Sequence, residues 1–379
     1  MKKIAIIGAS YLQEPLITKA KKMGLETHVF AWKANDIGEK IADYFYPISI
    51  TEKEDILNKC REIGIDGICS IASDLAAVAV NYVANHMGLI GNSEECTLKS
   101  TNKRLMRKCF EENGDPSPKS ICVESVLDLD DVDMGFPVIV KPLDRSGSRG
   151  ITKVIDKSNL DAAIELAKEQ GFEKKALVEE YVSGDEYSVE CISWRGEHTL
   201  LNITKKYTTG APHFIETGHM EPAMLSEEIK IEVKNVIFHA LNSLGIEYGA
   251  SHSEIKIDNG LIRIIEIGGR MGGDYIGSHL VELSTGFDFV KAVILTSLGQ
   301  RPDLTMHGKM RYAAVRFIFD KKDIEIYNDI KNNNPESIIL EDIHEIFNEN
   351  ITDSSNRNGA FIVAGESIDK ICSVFSDEK

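Results

Sequence analysis

The sequence predicts an α/β and α+β protein, with a parallel α/β domain first and α+β units after it. Three observations carry the prediction. Up to about residue 95, apolar runs alternate with stretches of helical periodicity, the pattern of a parallel sheet covered on both faces. A basic helix and a Gly-Asp-Pro-Ser-Pro break at 114–118 then interrupt that rhythm. Past the break period-two alternation takes over, and a chain of 379 residues exceeds what one hydrophobic core fills, so two or three domains or lobes are expected.

Residues 3–8 form an apolar run ending at Gly8-Ala9-Ser10, residues 15–23 are helical in period, and 26–32 are a second apolar run. Together they open a βαβ unit. Gly8 and Ser10 stand where a dinucleotide fingerprint would begin, but Gly-x-Gly-x-x-Gly is absent, which favours a tight strand-to-helix turn. Helices are expected at 55–63 and 75–87 around a buried strand at 67–72, and a basic helix at 101–113. A strand at 137–142, a Gly/Ser loop at 144–150, a helix at 160–170 and a strand at 176–181 make a small unit. Strands follow at 186–195 and within 253–267, helices at 227–244 and 287–298, and the stretch 205–221 reads as a polar loop. Two last strand candidates, 311–319 and 359–364, are separated by an Asn-rich, acidic region. The chain has no internal repeat or heptad array.

Composition excludes several classes. Hydrophobic residues make up 42% and charged residues 27%, as in ordinary globular proteins. No apolar run approaches the roughly 20 residues of a membrane helix, and the apolar run behind Met1-Lys2-Lys3 is too short for a signal-peptide core, so a cytoplasmic protein is expected. A net charge of -17, from 43 Lys and Arg against 60 Asp and Glu, argues against nucleic acid or an anionic membrane as partner. The seven cysteines are scattered and never spaced Cys-x-x-Cys, which disfavours a zinc site or disulfide framework.

Three local patterns carry chemistry. Ser-Glu-Ile-Lys-Ile at 253–257 and Arg-Ile-Ile-Glu-Ile-Gly-Gly-Arg at 263–270 flank Asp258-Asn259-Gly260 and read as a hairpin that sets Glu254 opposite Glu266. Facing carboxylates repel, and a hard divalent cation carried on nucleotide phosphates relieves them; two glutamates on a solvated sheet face would look the same. Val-Ile-Val-Lys-Pro at 138–142 ends a strand on Lys141 ahead of the small-residue loop Arg145-Ser146-Gly147-Ser148-Arg149-Gly150, an arrangement able to hold polyphosphate, or simply a lysine emerging at a strand end. Glu-Glu-Tyr-Val-Ser-Gly-Asp-Glu at 179–186 offers backbone groups to an adenine edge and an acid to ribose hydroxyls.

In order and spacing these patterns resemble the ATP-grasp superfamily, which includes biotin carboxylase, D-alanine ligases and L-amino-acid ligases. The resemblance implies a pre-ATP-grasp α/β domain at 1–95, followed by a two-lobed ATP-grasp fold. Residues 96–185 would be the linker helix and small lid lobe, 186–300 the large lobe with the metal and substrate site, and 301–379 C-terminal strands packing on it. It also implies ATP and Mg2+ (or Mn2+) as cofactors. Lys103 and Lys141 would bind phosphate, Ser146, Gly147 and Ser148 would sit in the lid loop, and Glu179, Glu180, Val182 and Glu186 would line the nucleoside. Glu254 and Glu266 would hold the metal, and Arg270 would adjoin the reacting phosphoryl group.

Many members write the second metal glutamate as Glu-x-Asn-x-Arg; here it is Glu266-Ile-Gly-Gly-Arg270, so no Asn side chain joins the metal. This version, followed by Met271-Gly272-Gly273, is closest to the L-amino-acid ligase branch, as is Glu216-Thr-Gly-His219. That branch implies substrate contacts from Glu216, His219, Arg270 and Gly273, with Arg270, His219 and Lys141 catalytic. The function implied is ADP-forming ligation of a small-molecule carboxylate and an amine through an acyl phosphate. A bicarbonate-using carboxylase or carbamoyl-phosphate-type enzyme is the alternative, disfavoured because Met-Gly-Gly-Asp follows Arg270 where biotin carboxylases have Gln-Val-Glu-His; a non-catalytic nucleotide-binding module is another. The sequence leaves the oligomeric state open, a homodimer included.

Overall fold

The computed structural model describes residues 1–129, 134–145, 147, 149–211, 214–306, 311–344, 347–348 and 350–375. Its strands form three sheets. The first, in the order β3-β2-β1-β4, is parallel, from β1 (Lys3–Ile7), β2 (Glu26–Phe30), β3 (Tyr44–Tyr46) and β4 (Gly67–Cys69). Helices α1 (Glu14–Lys22), α2 (Ile37–Ile41), α3 (Lys53–Ile63) and α4 (Asp74–Met87) are interleaved with them. The turn after β1 is the tight one expected: Gly8 has φ +101°, and Gln13 closes it, accepting from Ser10 and donating to the Ile71 carbonyl at 2.8 Å.

The basic helix differs from its prediction. Asn102 caps α6 (Lys103–Asn113), its side chain accepting from Leu105 N, so a separate helix, α5 (Glu94–Thr101), ends just before it. The second sheet, β5-β8-β6-β7, is antiparallel: β5 (Ser120–Val123), β6 (Val138–Pro142), β7 (Thr152–Val154) and β8 (Ala176–Glu180), with α7 (Leu160–Gln170) packed on it.

The third sheet has eight antiparallel strands in the order β13-β12-β9-β10-β11-β14-β16-β15. They are β9 (Asp185–Trp194), β10 (Glu197–Thr208), β11 (Glu216–Glu221), β12 (Tyr248–Asp258), β13 (Leu261–Gly268), β14 (Tyr312–Phe317), β15 (Ile338–Ile343) and β16 (Gly359–Gly365). The stretch 205–221 is therefore no loop; most of it lies in β10 and β11. The Asn-rich region likewise holds α11 (Lys321–Asn333) and β15, with α8 (Glu227–Leu244), α9 (Val281–Thr285) and α10 (Phe289–Ser297) preceding them.

The pleat divides the large sheet. Val189, Cys191, Ile203 and Ile255 point into a core with Val233, Ile237 and Leu241 of α8 and Phe110 of α6. Ile192 and Ala250, on the opposite face, join a core with Leu16 and Ile17 of α1 and Phe289 and Ile294 of α10. The parallel domain is thus packed against the face that also carries Glu254. Among the described residues no helix is long and apolar enough to cross a membrane.

Candidate active site

A cavity of about 340 Å³ opens between the two antiparallel sheets, closed at one end by Tyr11 and Ala72 of the parallel domain. The hairpin β12–β13 has the register its sequence predicts: Glu254 pairs directly with Glu266. Both acids line the cavity and each meets a lysine. Lys206 of β10 lies 2.6 Å from Glu254 and 3.0 Å from Glu186, and Lys103, the first residue of α6, lies 2.9 Å from Glu266. Burial opposes the charge on Lys206, yet Glu254, Glu186 and Glu216 hold its pKa well above the usual range; Lys206 in turn holds Glu254 well below its usual range against the same burial. Among the described residues no cluster of three metal-ligating side chains exists. The facing pair alone would hold a divalent cation only with phosphate oxygens and water, which fits a hard ion delivered on a nucleotide.

On the small sheet, Lys141 of β6 is buried with its Nζ 2.5 Å from Glu179 of β8. Arg107 of α6 binds the other Glu179 oxygen at 2.6 Å and donates to the Ile265 carbonyl, next to Glu266. Burial lowers the Lys141 pKa, with Glu179 opposing. Glu179, expected to bind the cofactor, lines the cavity with its carboxylate paired to Lys141 and Arg107. Glu180, Val182 and Glu186 line the same side of the cavity, as does Gly147, while Ser146 and Ser148 lie outside the described residues. Ahead of this loop Asp144 accepts from the backbone of Phe172 and Glu173, and the Arg145 carbonyl accepts from Lys103.

Glu216, His219, Arg270 and Gly273 line the far part of the cavity. Glu216 accepts from Ser354 at 2.7 Å and stands 3.8 Å from Lys206. His219, cross-strand partner of Lys206, is buried, which lowers its pKa and favours neutral imidazole; Asp274 lies 3.9 Å away. Arg270 is clasped by both oxygens of Asp74, at 2.8 and 3.1 Å, from the N-terminus of α4. Asp274 and Tyr275 are consecutive non-glycine residues with φ of 50° and 66°, and Arg357 pairs with Asp274 at 2.8 Å while stacking 3.5 Å above Phe317. Deeper in the sheet Glu190 pairs with His252, lifting the histidine pKa to about 9 against burial.

Sequence reasoning missed Lys206, Arg107, Asp74, Tyr11 and Arg357. Only Lys206 left a signal: Asn202, Thr204 and Lys206 alternate with Leu201, Ile203 and Lys205, a strand period with one polar face. The others act through contacts between distant segments and leave no local pattern.

Residues 134–278 match the family model of the ATP-grasp domain. The alanine–anticapsin ligase of Bacillus subtilis (strain 168) is 26% identical over 288 residues, 65% of this chain and 60% of that protein. The chain thus spans about 60% of the length of the first curated relatives it matches. Among solved structures, L-amino acid ligase from Bacillus licheniformis superposes with a TM-score of 0.85 at 22% identity, over 100% of this chain and 98% of that one. N5-carboxyaminoimidazole synthetase from Staphylococcus aureus complexed with ADP superposes with a TM-score of 0.77 at 17% identity, over 97% of this chain and 94% of that one.

Proposed function

We propose that this chain, whose residues 134–278 match the ATP-grasp domain model and whose fold superposes on that of an L-amino acid ligase, is an ATP-dependent, ADP-forming carboxylate–amine ligase, with amino acids the first substrates to test. The observation that carries the reading is the convergence on one cavity of the facing pair Glu254 and Glu266 with Lys103 and Lys141. The alanine–anticapsin ligase and the L-amino acid ligase named above support the branch.

In this reading the backbone at Glu180 and Val182 meets adenine and Glu186 the ribose. Lys103 and Lys141 turn from their carboxylates toward the phosphates, and Arg107 keeps Glu179 neutralised when Lys141 leaves it. Glu254 and Glu266 hold Mg2+ or Mn2+, which supplies charge neutralisation at the distal phosphates. Arg270, fixed by Asp74, faces the transferring phosphoryl group as the substrate carboxylate attacks it. The acyl phosphate is then captured by the amine, releasing phosphate; Glu216 orients the ammonium, and neutral His219 takes a proton from it. Closure of the 144–150 loop keeps water from the acyl phosphate. The reading places the enzyme in the cytoplasm, acting on small molecules.

A screen of ADP release over carboxylates with and without amines, including amino acids in pairs, tests it. ADP and phosphate should form only with both substrates present, and hydroxylamine should divert the acyl phosphate to a hydroxamate. Stoichiometric AMP and pyrophosphate would exclude the mechanism, since they require attack at the α-phosphate.

A further inference from the structure

Glu190 is a fully buried acid on β9, the strand beside the one that carries Glu254, and none of the chemistry above uses it. A carboxylate taken out of water needs strong partners, and Glu190 has two. One oxygen accepts from His252 Nδ1, its direct cross-strand partner on β12, and the other accepts from Gly272 N at 3.1 Å. The fit is close: a Cβ at Gly272 would stand 2.7 Å from His252 Nδ1 and 2.9 Å from Glu190 Oε1. The opposite edge of the same imidazole reaches the cavity, where His252 Nε2 lies 3.6 Å from Glu254 Oε1. Two residues apart on one strand, His252 and Glu254 share a face of the sheet, so the contact follows from the pleat.

We propose that His252 is a positioning residue for Glu254, anchored by Glu190, and that this pair sets the metal-holding carboxylate and the Arg270–Gly273 loop as one unit. Lys206 and His252 approach the same oxygen of Glu254, at 2.6 and 3.6 Å, which leaves Oε2 for the ion. Gly272 follows Arg270 by two residues, so Glu190 also fixes the backbone that carries the arginine. Ligands of a metal are oriented by the groups behind them, and losing such a group characteristically costs 10–100-fold in metal affinity.

The inference rests on the reading of Glu254 as a magnesium ligand, and one experiment separates the two. ADP affinity is measured by calorimetry with and without Mg2+, and the ratio gives the tightening that the metal contributes. His252→Ala should lower that ratio by about tenfold while metal-free ADP affinity stays within about twofold. His252→Gln, whose amide places a donor near the position of Nε2, should recover much of the ratio. Glu190→Gln preserves the side-chain volume and should lower the ratio by a smaller factor, giving the same readout if His252→Ala does not fold. An unchanged ratio in His252→Ala and Glu190→Gln, or equal losses with and without Mg2+, would overturn the positioning role. Glu254→Gln is the reference: if it retains the full ratio, the magnesium reading falls and the role of His252 with it. If Glu254→Gln loses the ratio and the His252 and Glu190 variants keep it, the positioning role alone falls.

Discussion

Glu254 and Glu266 stand face to face, each offset by a lysine, and the cation site proposed between them has only these two carboxylates. Changing either to Gln removes one negative charge from the facing pair; Glu266→Gln takes away the carboxylate 2.9 Å from Lys103, whereas Lys206 keeps Glu186 at 3.0 Å when Glu254 is changed. Each variant should therefore lose ADP formation by roughly a hundredfold while unfolding cooperatively near the wild-type temperature; near-wild-type ADP formation by both would sink the metal assignment. Lys141 poses a different balance. In the proposed role its ammonium acts on phosphate and not on the base, so Lys141→Ala should weaken ATP by about tenfold or more while adenosine binding changes little. Equal losses for the two ligands in a binding titration would count against it. The same substitution leaves buried Glu179 with Arg107 alone, and a loss of about 1–3 kcal/mol in a denaturant titration should accompany it.

At the scale of elements, β10 and β11 carry both the least legible part of the sequence and its most unusual buried acid. Glu221 ends β11 fully buried, its oxygens accepting from Thr204 at 2.8 Å, Asn202 at 2.9 Å and Ser284 at 3.0 Å. Burial raises its pKa from 4.5 to about 8, so the folded state keeps a proton that the unfolded chain releases. Stability from this group is present below pH 4.5 and is lost as pH rises toward 8. Glu221→Gln removes the titration, its amide oxygen able to accept from Asn202 and Ser284 while its NH2 donates to the Thr204 hydroxyl, so its melting temperature should fall less than that of the wild type between pH 5 and pH 8.5. Parallel melting curves for the two proteins would refute the assignment. The parallel domain, the small sheet's helix and the β12–β13 hairpin were legible because burial on one face prints a period of 2 or 3.6. β10 and β11 were misread because their cavity face carries Asn202, Thr204, Lys206 and His219, so charge and hydroxyls replace the apolar residues that normally announce a strand. The facing glutamates were readable from the hairpin turn, but the ion pairs that hold Lys141, Arg270 and Glu254 join residues far apart in the chain and were not.

At the scale of the whole molecule, the parallel domain is part of the site and not an appendage to it. Its α1 shares a core with α10 and the large sheet, Lys19 binds Asp288 at 2.6 Å, and Ala72 N donates to the Met271 carbonyl at 3.1 Å. The strongest tie is electrostatic. Asp74, at the start of α4, accepts two hydrogen bonds from Arg270, and although burial opposes the charge, this acid keeps the guanidinium pKa raised. A bidentate pair fixes the plane of a guanidinium as well as its position. If Arg270 must present a defined edge to the transferring phosphoryl group, a residue in a different sheet governs the chemical step. Asp74→Asn keeps shape and one acceptor but loses the second, so kcat should fall by about tenfold or more while KM for ATP moves by less than about twofold. The split decides between two roles. A loss shared by kcat and thermal stability would make Asp74 a structural tie between domains, and unchanged kcat would mean that Arg270 finds its orientation without the parallel domain. A fall in kcat alone requires that the domain's packing, through one carboxylate, sets the arginine for catalysis.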